Sequence, residues 1–148
     1  MRKQYLDPKP LFEPRFFTHA VSVSAPARLV WISGQVSFDR EGRVVGVGDL
    51  RAQTEQVFRS LGHCLEAAGA TWADVVKLNG YLVNLDAESV RVYREVRARF
   101  LDPRRLPAST LVGVTRLVHP DLLLEVEALA ALPARASPPG RKKARARR

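Results

Sequence analysis

The chain has 148 residues and a formal net charge of +9, with 46% hydrophobic residues and one cysteine. That length suits a single domain with a real core, and excludes two full catalytic domains. The lone Cys64 excludes an internal disulfide framework and a cysteine-built zinc site, and the three histidines (His19, His63, His119) show no metal-ligand spacing. No apolar run approaches the roughly 18 residues of a membrane span, and the basic N-terminus lacks the apolar core of a secretory signal. The expectation is a soluble, cytoplasmic protein without a membrane partner.

The charge is unevenly placed. Arg135, Arg141, Lys142, Lys143, Arg145, Arg147 and Arg148 lie in the last fifteen residues, which hold no acid. With those seven set aside from the total of +9, residues 1–133 carry a net +2. The segment 134–148 has no apolar period and a Pro-Pro-Gly break, so it reads as a disordered basic tail. Its expected partner, where it has one, is a nucleic acid touched nonspecifically through Arg135–Arg148. A purely solubilising tail is the alternative. The body makes no electrostatic case for nucleic acid.

In chain order, residues 1–14 carry Pro8, Pro10 and Pro14 and read as an irregular lead-in. Residues 16–23 alternate loosely and suit a strand. Leu29-Val30-Trp31-Ile32 is a compact strand run ended by Ser33-Gly34. Gly46-Val47-Gly48 precedes a helix and echoes a nucleotide-binding turn, but its third glycine is missing and Asp49 sits where a phosphate would lie. Asp49 is instead a helix N-cap, followed by Leu50, Val57, Leu61, Cys64, Leu65 and Ala68 at helical spacing, with Gly69 closing the helix. Cys64 on that stripe reads as core. Residues 76–83 alternate as a half-buried strand. Asp86 caps a second helix with Val90, Tyr93, Val96, Arg97 and Phe100 along one stripe, and Asp102-Pro103 stops it. Residues 110–115 and 122–132 read as two more strands. In the last, Leu122, Leu124, Val126 and Ala128 face one way and Leu123, Glu125, Glu127 and Leu129 the other.

The predicted order β-β-(β)-α-β-α-β-β makes an α+β two-layer domain, with both helices on one sheet face. The other face is mixed, and such faces are commonly buried against another subunit. Glu125 and Glu127 interrupt an otherwise apolar strand. Two readings stand for them: ion pairing at an interface, for example with Arg116 or Lys77, or a carboxylate that activates water in a cleft.

Six stretches carry a resemblance across residues ~15–132. They are Leu29-Val-Trp-Ile-Ser-Gly-Gln35, Gln53-Thr-Glu-Gln-Val57, Leu65-Glu-Ala-Ala-Gly-Ala70, Asp74-Val-Val-Lys77, Pro107-Ala-Ser-Thr110 and Glu125-Val-Glu-Ala128. In this order they resemble the RidA/YjgF family of reactive-intermediate deaminases, also called endoribonuclease L-PSP proteins. The resemblance implies a RidA-like domain over 15–133 with a chorismate-mutase-like fold. It also implies a homotrimer around a central sheet barrel, and small-molecule clefts between subunits. It implies no metal and no cofactor. Active members hydrolyse enamines and imines to a 2-keto acid and ammonia.

The resemblance places Glu125 as the catalytic, water-orienting carboxylate. Ser33, Gly34, Ser109 and Leu111 line the cleft, and Phe17 is its lid. Two positions depart from the family pattern. Ser109 stands where the family's arginine clamps the substrate carboxylate, and Phe17 where a tyrosine closes the pocket. A serine brings neither the charge nor the planar fork. An arginine-lacking subgroup is therefore implied, and standard 2-imino acid deamination is not expected. Arg91 is a candidate displaced cation; the alternative pairs it on the helix surface with Glu88 or Glu95. The functional alternatives are a cofactor-free hydrolase of an enamine- or imine-like metabolite, a noncatalytic metabolite-binding or chaperone-like trimer, and an RNA-binding or RNA-cleaving protein using the tail.

Overall fold

A computed structural model describes residues 1–25 and 27–134. The basic tail beyond Ala134 lies outside them. The strands are β1 (Lys3–Leu6), β2 (Ala20–Val23), β3 (Ala27–Gln35), β4 (Val75–Val83), β5 (Ala108–Val114) and β6 (Leu124–Pro133). The helices are α1 (Leu50–Ala67) and α2 (Ala87–Ala98), with a 3₁₀ turn at Trp72–Asp74. The main sheet runs β3-β6-β4-β5. β4 pairs parallel with β5 and antiparallel with β6, so the sheet is mixed. The architecture is α+β with two helices, as expected.

Both helices start at the predicted caps. The Asp49 carboxylate accepts from the Ala52 N–H, and Asp86 accepts from the Ser89 N–H in a reciprocal capping box. Gly46 and Gly48 take φ of 72° and 75°, a left-handed backbone that glycine adopts without strain. The Gly-Val-Gly segment is thus a turn into α1, with Asp49 occupied as its cap.

Alternation on β4 and β6 buries Leu78, Leu82, Leu124, Val126 and Ala128 on one face, against Val57, Phe58, Leu61 and Leu65 of α1 and Tyr93 of α2. Phe58 stacks on Trp72 with ring centroids 5.6 Å apart. Leu122 is buried as predicted, although β6 begins two residues later. Cys64 packs at the margin of this core. No helix of the described residues is long and apolar enough to cross a membrane.

The lead-in needs correction. Residues 3–6 are not irregular: β1 pairs antiparallel with β2, Lys3 opposite Val23 and Leu6 opposite Ala20. The prolines begin only at Pro8, so Lys-Gln-Tyr-Leu keeps every ladder N–H. The strand expected over 16–23 shortens to Ala20–Val23.

Lys3 pins the pair to the domain. Its Nζ donates to the Ala73 carbonyl (2.8 Å) and to Asp74 Oδ1 (3.1 Å). Burial by itself pushes the Asp74 carboxyl up. Hydrogen bonds from the Thr71 backbone, from Lys3 and from the Thr71 hydroxyl outweigh it and hold the group below its ordinary value. A depressed carboxylate contributes stability above its unfolded pKa, and that contribution is lost as pH falls through the folded one. Lys3→Met is expected to cost about 1 kcal/mol at neutral pH. Urea melts at descending pH should show the gap to the native chain closing below the folded pKa of Asp74.

Candidate functional site

β3 and β6 build the site. Their antiparallel register slips between Ile32 and Gln35, a bulge that holds Ser33 and Gly34. Glu125 leans into that bulge. A Cβ on Gly34 would fall 1.8 Å from Glu125 Oε1 and 2.7 Å from its Cδ, so the carboxyl group occupies the space an ordinary side chain would take. Gly34 has no positive φ, and glycine is required there for close approach.

Glu125 and Glu127 share the sheet face away from the helices but differ in surroundings. Glu127 accepts from Asn79 Nδ2 (2.7 Å) and from the Tyr81 hydroxyl (3.0 Å). That hydrogen bond is the chief cause raising the Tyr81 pKa, with smaller contributions from desolvation and from the Glu127 and Glu125 charges. Lys77 donates instead to Thr110 Oγ1 (2.7 Å). Among the described residues neither Lys77 nor Arg116 forms an ion pair with either glutamate, and no side chain donates to Glu125. A cavity of about 320 Å³ opens on this face, lined by Trp31, Ser33, Lys77, Asn79, Glu127 and Leu129. Of these, only Ser33 was singled out as cleft lining from the sequence. The period-2 alternation of β4 was the available signal for Asn79 and Tyr81.

The remaining expected residues lie elsewhere in the chain. Ser109 and Leu111 pair with Leu78 and Gly80, so they face the helix layer, opposite to Glu125. Leu111 packs there against the core. Phe17 lies in an aromatic cluster with Phe12 and His19, centroids 6.0 and 5.3 Å away. It is carried to the start of β5 by the Thr18 N–H, which donates to the Pro107 carbonyl (3.2 Å). Arg91, the candidate displaced cation, makes within one chain the surface pairing that was its alternative. It stands exposed on α2, clasped by Glu88 and Glu95, and those carboxylates occupy its guanidinium. The helix spacing i, i+3 and i, i+4 brings all three together. Within one chain, then, the fold unites Ser33, Gly34 and Glu125, and sets Ser109, Leu111, Phe17 and Arg91 apart from them.

A small α+β domain with a carboxylate set into a glycine bulge on an open sheet face is the class these features define. The family model described as Endoribonuclease L-PSP matches residues 14–132. A RutC family protein of Pyrococcus abyssi is 32% identical over 123 residues, covering 83% of this chain and 89% of that protein. A conserved Rid family protein of unknown function from Yersinia pestis superposes with a TM-score of 0.79 at 37% identity, covering 89% of this chain and 100% of the other. RidA from an Antarctic Psychrobacter gives 0.63 at 33% identity, covering 78% and 88%. The chain belongs to the RidA/YjgF family.

Proposed function

We propose that the chain is a cofactor-free hydrolase of small imine- or enamine-like metabolites that lack the carboxylate of 2-imino acids. The carrying observation is the Glu125 carboxylate seated on Gly34, with no donor to it among the described residues. A carboxylate so held can orient and polarise a water molecule. Backbone N–H groups near Leu111 would receive the developing negative charge.

The proposed site is a cleft between subunits of a homotrimer, with the open sheet faces forming a central barrel in a chorismate-mutase-like arrangement. Trp31 (73% exposed), Leu29 (42%) and Val112 (40%) support this reading. All three lie on the open face by strand register, and apolar residues so exposed suit burial in an assembly. In that assembly Ser109, Leu111 and Phe17 of one subunit would approach Glu125 of the next. Ser109 offers one hydroxyl where a guanidinium would grip a carboxylate. Loss of such a charged hydrogen bond costs about 2–3 kcal/mol, which is why an acidic substrate is not proposed.

The test pairs two substrates and a mass measurement. Light scattering should give three chains per particle. Freshly generated 2-aminoacrylate should decay at its uncatalysed rate, whereas a neutral imine should be hydrolysed faster in the presence of the protein. Ordinary turnover of 2-aminoacrylate would overturn the substrate assignment. Cleavage of RNA, with neither substrate touched, would favour the activity in the family's descriptive name.

A further inference from the structure

A second cavity lies on the helix side of the sheet. Arg97 stands one turn after Tyr93 on the buried stripe of α2 and is only 5% exposed. Its Nη1 donates to the Phe16 carbonyl (2.7 Å). Its Nε and Nη2 are buried without a hydrogen-bond partner among the described residues, and no carboxylate there pairs with it. These two nitrogens form the edge of the guanidinium that presents two parallel N–H bonds to a carboxylate. A guanidinium does not shed its proton in a protein, so the charge stays inside. Desolvation depresses its pKa, the nearby Tyr93 raises it, and Arg94 lowers it further.

Arg97 lines a cavity of about 280 Å³ together with Arg15, Phe16, Arg94, Leu101 and Leu106. No acidic residue lines it. Arg94 lies with its guanidinium carbon 4.2 Å from the centre of the Phe16 ring, which positions a second cation at the rim. Cations with apolar walls and no counter-charge suit an anion that has a hydrocarbon body. A cavity of about 150 Å³ already holds benzene, so the space here accommodates a chain or ring of about six to eight carbons.

We propose that this cavity binds a small organic carboxylate, its hydrocarbon against Phe16, Leu101 and Leu106 and its two oxygens on the Nε–Nη2 edge of Arg97, two nitrogens with almost no accessible surface in this structure that a turn of the side chain into the cavity uncovers. An inorganic anion would satisfy the charge but leave those walls unfilled. Within one chain the cavity is separate from the Glu125 carboxylate, because Arg97 and Glu125 lie on opposite sides of the sheet.

Calorimetric titration of the full chain with hexanoate, hexanamide and sulfate tests it. Hexanoate should bind once per chain, at least about tenfold more tightly than hexanamide, which lacks the charge. Sulfate should not displace it. Arg97→Met should lose hexanoate binding while staying folded by circular dichroism, since an apolar residue of similar length removes a buried unpaired charge. Should that variant misfold, Arg97→Lys supplies the comparison: a point charge without the fork should bind hexanoate more weakly than the native chain. Equal affinity for hexanoate and hexanamide, or unchanged binding in Arg97→Met or Arg97→Lys, overturns the proposal. So does a change of oligomer mass in Arg97→Met with no hexanoate bound by the native chain, which would make a neighbouring subunit the partner of Arg97.

Discussion

Gly34→Ala is expected to reduce turnover at the Glu125 cleft about 100-fold while leaving the chain folded. The new Cβ would lie 1.8 Å from Glu125 Oε1, 2.7 Å from Cδ and 2.9 Å from Cγ. Those atoms are the far end of a flexible side chain, so the side chain swings away and the β3–β6 backbone stays. A carboxylate moved by more than an ångström no longer orients its water. Glu125→Gln should cause a loss of similar size by removing the charge in place. The double variant should be little worse than either single one, because both disable the same group. The measurements are kcat/KM on a neutral imine and a thermal melt for each variant. A fully active Gly34→Ala would sink the assignment of Glu125. A collapse in melting temperature would mean that the bulge, and not the carboxylate, absorbs the clash.

Gln53→Leu is expected to cost about 3 kcal/mol of stability. Gln53 is fully buried on α1 and holds two loops. Its Nε2 donates to the Gly46 carbonyl (3.1 Å) and the Asp121 carbonyl (2.7 Å), while its Oε1 accepts from the Leu123 N–H (2.8 Å). Leucine fills the volume but leaves two carbonyls and one N–H without their partner. Urea melts should show a lower midpoint with an unchanged slope. Gln53→Glu should be comparably destabilising, since it keeps the shape but cannot donate to the two carbonyls. Because Leu123 leads into β6 two residues before Glu125, both variants should also loosen the cleft. Stability equal to the native chain in either would show the loops to be held by other contacts.

Gln53 illustrates how far the sequence was legible. It belongs to one of the stretches that carry the family resemblance, yet on composition alone it is one more polar residue on a helix. Its three bonds join positions 7, 68 and 70 residues away. No local pattern encodes such spacing. By contrast, the caps at Asp49 and Asp86 were legible because a side chain meets its own backbone three residues on. β1 was missed because a four-residue strand gains its meaning only from β2 and from the tie between Lys3 and Asp74.

Local chemistry, read from the sequence by itself, determined the two capped helices, the alternation of β4 and β6, the apolar stripe that includes Arg97, and the concentration of charge beyond Ala134. The resemblance to the RidA/YjgF family raised the first question about acidic substrates, through Ser109. Tertiary structure decided what the charged residues do. Glu125 and Glu127 are two residues apart on one face, but the bulge at Gly34 receives one and Asn79 with Tyr81 holds the other. Arg91 and Arg97 are six residues apart on one helix, but surface carboxylates hold the first while the core strands the second. Periodicity assigns a residue to a face. Cross-strand register and packing between distant segments assign its partners, and for a buried charge the partners set both its cost and its use.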